Sequence, residues 1–297
     1  MVTPLEPGVW GVLATPFNGS VFDLDEAGVA RLCEHYQAVG ATGLTVLGVF
    51  GEAARLTDQE RATIVEIAAD TCDLPLVVGA TSLSTRVAID EVRKAQDVAG
   101  DRIVGAMVQI NSTVPTTLID HFNAIHQATG LGIVAQDYPA VSGISIRPEV
   151  LVAALRDKPF CAAVKAEAPP TAVAVRTLAD GLDVPVFGGL GGIGLLDELA
   201  AGAAGAMTGF SVPEGLLTCI QAWQDGGYEA ARQAWLPYLP LAVFEQQPGI
   251  ALAIRKEALR MRGLIAEAGV RLPGRMMPDT LSEQLGRHLA AVLPDGR

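Results

Sequence analysis

The sequence has few basic residues and no long apolar run, and these shortages exclude several classes of partner. Lysine and arginine total 21 against 33 aspartates and glutamates, so the formal net charge is −12. The basic residues form no cluster, so nucleic acid and anionic membrane surfaces are not expected as partners. No apolar run reaches the roughly 18 residues of a membrane span. The first residues lack the basic and apolar segments of a signal peptide, so we expect a cytoplasmic protein.

Cysteine and histidine are equally sparse, with four of each. The cysteines form no CxxC pair, which favours reduced core cysteines in a cytosolic protein. His121 and His126 lie five apart in one predicted helix, which is not the i, i+4 spacing of two ligands on one face. We therefore expect no metal, and we expect no cofactor either. The glycine-rich run Gly188–Gly192 lacks the G-x-G-x-x-G spacing of a dinucleotide site.

What the sequence has in abundance is a regular alternation of short apolar runs and helical patterns over 297 residues, half of them hydrophobic. Eight predicted strands cover residues 9–14, 43–47, 76–79, 103–109, 132–136, 160–165, 184–187 and 204–208. This rhythm predicts an α/β fold, a (β/α)8 TIM barrel over residues 1–226. Helices over 228–244, 248–268 and 278–292 predict a C-terminal three-helix extension, 227–297, packed on the barrel. A doubly wound open sheet is the alternative fold.

One of the four lysines stands apart from the others. Lys94, Lys158 and Lys256 occur in polar surroundings that are typical of solvated surface lysines. Lys165 instead ends an apolar strand, where loss of water disfavours the ammonium form and favours a nucleophilic amine. The alternative is a strand-end lysine that reaches water or pairs with Glu167.

Two further features follow strand ends, where a TIM barrel places its catalytic residues. Tyr138 follows the fifth strand, and the loop Gly48-Val49-Phe50-Gly51-Glu52 follows the second. Each also has a simpler structural interpretation: Tyr138 could be a tyrosine in a turn, and the loop glycines could only permit a tight turn. A turn that aims successive N–H groups at a pocket is, however, also an anion site. A carboxylate site beside an imine-forming lysine is what a 2-oxo acid substrate requires.

These residues carry a resemblance to the dihydrodipicolinate synthase/N-acetylneuraminate lyase superfamily of class I, Schiff-base lyases. The similar motifs span essentially the whole chain: Gly11–Phe17, Gly48–Glu52 with Leu56–Arg61, Tyr138, and Val164-Lys165. In the second half, residues 135–143 and 198–209 resemble the branch that contains 2-keto-3-deoxy-L-arabonate dehydratase.

The resemblance implies that Lys165 forms an imine with pyruvate or a 2-keto-3-deoxy acid and that Tyr138 relays protons. The loop of Gly48, Val49, Phe50 and Gly51 would hold the substrate carboxylate. The remaining expected substrate-binding residues are Ser82, Asn111, Gly189 and Ser211. Polar side chains around the mouth look sparse, which favours a short or partly apolar substrate. The resemblance also implies a homodimer or homotetramer.

Several departures from the family pattern bear on the substrate. Val49 and Phe50 stand where dihydrodipicolinate synthase has two threonines, and Gln109-Ile110-Asn111 stands where it has a tyrosine pair. No arginine occurs in 139–143, and Lys165-Ala166-Glu167 replaces the common Lys-Glu pair. We therefore predict a dehydratase or aldolase. Dihydrodipicolinate synthase and a non-catalytic 2-oxo-acid-binding barrel are the alternatives.

Overall fold

The computed structural model describes residues 2–293, and its centre is a closed barrel of eight parallel strands. We number them β1 Gly8–Val12, β2 Gly43–Val46, β3 Leu76–Ala80, β4 Ile103–Gln109, β5 Gly132–Asp137, β6 Cys161–Ala166, β7 Val186–Gly188 and β8 Gly205–Thr208. Each strand pairs with its neighbours in chain order, and β1 closes the barrel between β8 and β2. The predicted (β/α)8 fold is therefore confirmed.

Helices surround the barrel and continue beyond it. They are α1 Glu26–Ala38, α2 Asp58–Thr71, α3 Thr85–Ala99, α4 Pro115–Thr129, α5 Pro148–Leu155, α6 Thr171–Gly181, α7 Leu195–Ala200, α8 Pro213–Trp235, α9 Leu239–Glu245, α10 Ala251–Met261 and α11 Ser282–Val292. Helix α2 begins with a complete capping box, in which Thr57 and Glu60 each accept from the other's backbone N–H. None of the helices within residues 2–293 combines the length and apolar character needed to cross a membrane.

The barrel interior is a layer of alternate strand residues. Trp10, Val77, Met107, Val134 and Phe187 belong to one buried cluster inside the barrel. Alternate residues face opposite sides of a strand, so the outward-facing residues form a second, larger core against the helices. Inward positions near the strands' C-terminal ends turn polar, and this change places the candidate site at that end of the barrel.

The C-terminal part differs in detail from the predicted helices. Helix α8 continues across residue 226 with non-helical φ/ψ at Gly227, so the predicted domain division falls inside this helix and stays a prediction. The predicted helix 228–244 is interrupted at 236–238, because Pro237 lacks the N–H that would continue it. Helix α10 is shorter than predicted and ends before Gly263, whose φ is +72°. Residues 1 and 294–297 of the predicted ranges lie outside the described residues.

The C-terminal helices pack on one side of the barrel. Residues of α8, α9, α10 and α11 form a continuous buried cluster with Val9 of β1 and Ala206 of β8. This packing brings α9 and α10 over the C-terminal ends of the strands. One further element was not predicted, a short antiparallel pairing of Phe17–Asn18 with Asp23–Leu24.

Candidate active site

A cavity of about 400 Å³ opens at the C-terminal ends of the barrel strands. Four of the predicted site residues line it, namely Lys165, Tyr138, Val49 and Phe50. They come from three different strand ends, as a barrel site requires. The structure therefore brings the lysine, the tyrosine and the loop into one space.

Lys165 lies near the end of β6, with a side chain only 6% exposed. Its Nζ is 3.1 Å from Oε2 of Glu167, so the pairing considered from the sequence is present. Gln136, the register partner of Lys165 on β5, donates from Nε2 to the same oxygen at 2.8 Å. The amine therefore has a fixed carboxylate within proton-transfer distance, so Glu167 can accept a proton from Lys165 as well as hold its side chain in place.

Tyr138 follows β5 directly and precedes a one-turn helix, Pro139–Ser142. The proline in the first turn ends the strand and turns the chain across the cavity mouth. Burial raises the pKa of the Tyr138 phenol, and the nearby Glu167 carboxylate raises it further, while Arg255 opposes the shift. The phenol is therefore held protonated, which suits a proton donor.

The loop after β2 has the geometry of an anion site. Leu47 and Glu52, which bracket it, have left-handed backbone with φ of +56° and +54°, and Val49 and Phe50 between them line the cavity. Within residues 2–293, the N–H groups of Val49 and Phe50 donate to no backbone acceptor. Two adjacent donors at the cavity wall can bind one carboxylate.

Phe50 has a defined place in this cavity wall. Its ring lies against Gly209, where an added Cβ would come within 2.3 Å of the ring. The guanidinium of Arg255 lies over the ring, 5.6 Å from its centroid. The Phe50 ring therefore forms part of the cavity wall and supports the Arg255 guanidinium.

The other predicted substrate-binding residues do not line the cavity: Gly48, Gly51, Ser82, Asn111, Gly189 and Ser211. Ser211 is buried, with its hydroxyl donated to Glu245. Asn111 donates to the Leu83 carbonyl at 3.0 Å. Gly189 lies behind the site, because a Cβ there would meet the Glu167 side chain at 2.5 Å.

The two loop glycines and Ser82 also have structural partners. The Gly51 carbonyl accepts from the Thr15 hydroxyl at 2.6 Å, and Gly48 packs under the loop against Val12. The N–H of Ser82 donates to Glu91 at 3.2 Å, away from the cavity. These residues shape the mouth from outside its lining.

The cavity is more polar than the sequence suggested, which corrects the expectation of a mouth with few polar side chains. The polar and charged lining residues absent from the predicted site are Arg55, Gln136, Glu167, Thr208, Gln246, Arg255 and Arg275. Gln136 and Glu167 could have been found from their places beside the predicted tyrosine and lysine. Arg255, Gln246 and Arg275 carry no such signal, because tertiary packing alone brings them to the barrel mouth.

Lys256 was predicted to be a solvated surface lysine, and this is wrong. Its side chain is fully buried, forms an ion pair with Glu52 and donates to the Gly269 carbonyl at 2.7 Å. Burial lowers the pKa of Lys256 to about 8, and the Glu52 charge opposes that shift. Glu52 also accepts from Arg55 at 2.7 Å and from the N–H of Arg271 at 3.0 Å. This network ties α10 to the loop after β2.

A second buried carboxylate lies next to the site. Asp137, the last residue of β5, is fully buried, and neither of its oxygens has a hydrogen-bond partner within the described residues. Burial raises the pKa of Asp137 to about 6, and the Glu167 charge adds to the shift. It therefore tends to be neutral below that pH.

Two other features of residues 2–293 bear on where chemistry could occur. A cavity of about 660 Å³ lies at the opposite, N-terminal end of the barrel and is lined largely by apolar residues, among them Leu5, Trp10 and Val104. It is remote from Lys165 and the strand ends that carry chemistry in this fold. No group of three or more His, Cys, Asp or Glu residues suited to a metal ion occurs in this part of the chain.

Known proteins resemble the chain over its full length. It is 32% identical to the L-2-keto-3-deoxyarabonate dehydratase of Azospirillum brasilense, over 95% of this chain and 94% of that protein. It is 31% identical to the 4-hydroxy-tetrahydrodipicolinate synthase of Methanothrix thermoacetophila, over 92% of each chain. The crystal structure of dihydrodipicolinate synthase from Rhodopseudomonas palustris superposes with a TM-score of 0.89 at 27% identity, covering 98% of this chain and 99% of that one.

A family model also matches nearly the whole chain. Residues 6–292 match the model of the dihydrodipicolinate synthetase family, which includes both strand-end motifs and the C-terminal helices. The resemblance found from the sequence is therefore confirmed, and the expected class of enzyme with it. The chain belongs to the dihydrodipicolinate synthetase family and is a class I lyase.

Proposed function

We propose that this enzyme dehydrates a 2-keto-3-deoxy acid through an imine on Lys165, with Tyr138 as the proton relay. The observation that carries the proposal is the meeting of a buried amine, a carboxylate at 3.1 Å and a phenol in one cavity. The N–H groups of Val49 and Phe50 would hold the C1 carboxylate of the substrate. This fixes the C2 carbonyl beside Lys165.

Glu167 prepares the amine in this mechanism. It takes a proton from the Lys165 ammonium across the 3.1 Å contact, and Gln136 stabilises its position. The amine lone pair attacks C2, and a proton passes from nitrogen to the former carbonyl oxygen. Tyr138 donates a second proton to that oxygen, water leaves, and the positive imine remains.

The imine then serves as an electron sink. The Tyr138 phenolate takes a proton from C3, which gives an enamine, and the enamine electrons expel the C4 hydroxyl. That leaving oxygen takes its proton from Tyr138 and departs as water. Water then adds at C2 and gives one proton to the Tyr138 phenolate. The new C2 hydroxyl passes its proton to nitrogen as the C–N bond breaks, which releases the product and restores the Lys165 amine and the Tyr138 phenol.

Dehydration is favoured over aldol cleavage by the likeness to the Azospirillum dehydratase, at 32% identity over nearly the whole chain. Cleavage of the C3–C4 bond would use the same imine and is distinguished only by its products. The 4-hydroxy-tetrahydrodipicolinate synthases, at 26% to 36% identity, support a second candidate activity. Against it, this cavity has Val49 and Phe50 at the positions of the synthase threonines.

Borohydride trapping tests the proposal. The protein is incubated with pyruvate or with a series of 2-keto-3-deoxy acids, reduced, and digested for peptide mass spectrometry. We expect an adduct on Lys165 that is absent from Lys165→Ala and unchanged in Lys158→Ala, a partly exposed lysine outside the cavity. An unmodified Lys165 with every acid would refute the imine mechanism. Analysis of the products separates dehydratase, aldolase and condensation with aspartate semialdehyde.

We further propose that the enzyme forms a homodimer or homotetramer and works in the cytoplasm. The family resemblance supports the assembly, and light scattering would measure it. The four free, buried cysteines support a reducing compartment.

A further inference from the structure

The charge of the cavity differs in sign from that of the protein. The chain has a net charge of −12. Within the described residues, however, five charged side chains line the cavity. Four are positive, Lys165, Arg55, Arg255 and Arg275, and one is negative, Glu167. Glu167 is occupied by Lys165, and Glu52 compensates Arg55. The two remaining positive groups are Arg255, whose partner Glu245 does not line the cavity, and Arg275.

Arg255 is held in place by partners on one side only. Its side chain is 9% exposed, its Nε donates to Glu245 at 3.2 Å, and one terminal nitrogen, Nη2, donates to Gln246 at 2.5 Å. The second terminal nitrogen, Nη1, has no hydrogen-bond acceptor within residues 2–293. The Phe50 ring beneath the guanidinium fixes its plane. An arginine whose Nε and Nη2 are anchored while Nη1 stays free is suited to binding an oxyanion.

A glycine on the cavity wall makes room for this side chain. Gly191 has φ of +69°, and a Cβ there would lie 2.1 Å from the Arg255 guanidinium. Its N–H is anchored to the Thr208 hydroxyl at 2.7 Å. The loop after β7 is thus built around the arginine, which places the guanidinium in the cavity wall and not merely between two helices.

Arg275 contributes a second positive group from the segment between α10 and α11. It is exposed to solvent at the cavity mouth, and within the described part of the chain no carboxylate lies within ion-pair distance of it. The neighbouring Gly274 allows Arg55 to pack under this segment, because a Cβ there would lie 2.9 Å from the Arg55 guanidinium. A cation without a partner that lines the same cavity as an anchored guanidinium favours an anionic ligand.

We propose that the substrate carries a second oxyanion group at the end away from its 2-oxo acid, and that Arg255 and Arg275 bind it. The inference rests on the proposed function, because Lys165 and the loop of Val49 and Phe50 must hold the first carboxylate. The substrate class is a 2-keto-3-deoxy acid whose far carbon bears a carboxylate or a phosphate. Arg255 acts as the buried anchor and Arg275 as the solvent-facing one.

Steady-state kinetics with matched acids test this proposal. The assay compares 2-keto-3-deoxy acids of equal length whose far end is a carboxylate, a phosphate ester or an uncharged CH2OH group. We expect kcat/KM for one anionic end to exceed that for the uncharged end by about 100-fold, the effect of a charge-assisted hydrogen bond pair. The anionic end with the higher kcat/KM shows whether the site is built for a carboxylate or for a phosphate. Equal kcat/KM for all three ends would overturn the proposal.

Variants separate binding from folding. Arg275→Gln alters an exposed side chain without a partner, so we expect KM for the anionic acid to rise about tenfold with kcat and melting temperature unchanged. Arg255→Lys keeps the charge but loses the planar fork, and we expect a larger rise in KM for the anionic acid alone. Arg232→Gln, an exposed arginine of α8 outside the cavity, is the matched control. A KM for the anionic acid that is unchanged in Arg275→Gln would contradict the role of that residue.

The trapping experiment keeps the two failures apart. Pyruvate has no far end, so its adduct on Lys165 depends on the proposed function alone. An adduct with pyruvate together with no preference among the matched acids would remove the second anion site and leave the imine mechanism standing. No adduct at all would remove both.

Discussion

Replacing Lys256 by methionine should destabilise the protein far more than the same change at Lys94. Both lysines form short ion pairs, Lys256 with Glu52 at 2.5 Å and Lys94 with Asp58 at 2.6 Å. The first pair is 0% and 1% exposed, whereas the second is 59% and 72% exposed. Distance is therefore matched between the two pairs, whereas burial and the further contacts of Lys256 and Glu52 distinguish them.

The expected magnitude follows from what the change leaves behind. Removing one member of a buried pair costs about 3 to 5 kcal/mol, because the remaining charge is left without its partner. Glu52 would keep its contacts to Arg55 and to the Arg271 N–H, so we expect the lower value, about 3 kcal/mol. The exposed Lys94 pair is screened by water, and Lys94→Met should change stability little.

Urea unfolding followed by circular dichroism measures both variants against the parent protein. The transition midpoints should separate clearly for Lys256→Met, with similar slopes. Adding Glu52→Gln to Lys256→Met removes the orphaned charge and should recover about 1 kcal/mol or more of the loss. Equal midpoints for Lys256→Met and Lys94→Met would refute the argument from burial.

Three further predictions concern the residues around the imine. Tyr138→Phe should lower kcat by about 100-fold or more and slow formation of the borohydride adduct on Lys165, but the adduct should still form on long incubation, since the phenol acts as a relay and not as the nucleophile. Glu167→Gln should slow formation of the borohydride adduct by about 100-fold in a quenched time course, because the amine loses its proton acceptor. An unchanged rate would show that Glu167 is not the group that accepts the proton from Lys165. Burial raises the pKa of Asp137 to about 6, so the native state holds a proton that the unfolded state has released, and stability falls as pH rises from about 4 to 6. Asp137→Asn should therefore be more stable than the parent above pH 6, by on the order of 2 kcal/mol in unfolding measurements, and a matching pH dependence in both proteins would contradict this.

The barrel could be predicted from the sequence because its strands are buried on both faces. Such strands appear as continuous apolar runs, for example Leu76–Ala80 and Ile103–Gln109, and the periodicity between them is helical. The strand-end residues followed from the same assignment, since parallel strands in a barrel present their C-terminal ends at one mouth. Lys165 and Tyr138 needed no contact information beyond that.

Lys256 and Arg255 could not be placed in this way. Both belong to a helix whose sequence alternates charged and apolar residues, which usually indicates a solvated face. Their burial depends on carboxylates elsewhere in the chain, Glu52 for the lysine and Glu245 for the arginine. A buried charge is recognisable only once its partner is known, because burial without a partner is strongly unfavourable. Lys256 and Glu52 are 204 residues apart in the chain, so no local sequence pattern indicates that they pair.

These two adjacent residues also explain why the C-terminal helices belong to the active site. Lys256 fixes α10 to the loop whose Val49 and Phe50 line the cavity. Once the helix is fixed, the next position toward its N-terminus places Arg255 over the Phe50 ring. The same helix thus connects the loop that would hold one end of a substrate to the guanidinium that would hold the other. A substrate that binds at both ends would therefore draw α10 and the barrel loop together, and its binding should stabilise the very network that Lys256→Met disrupts.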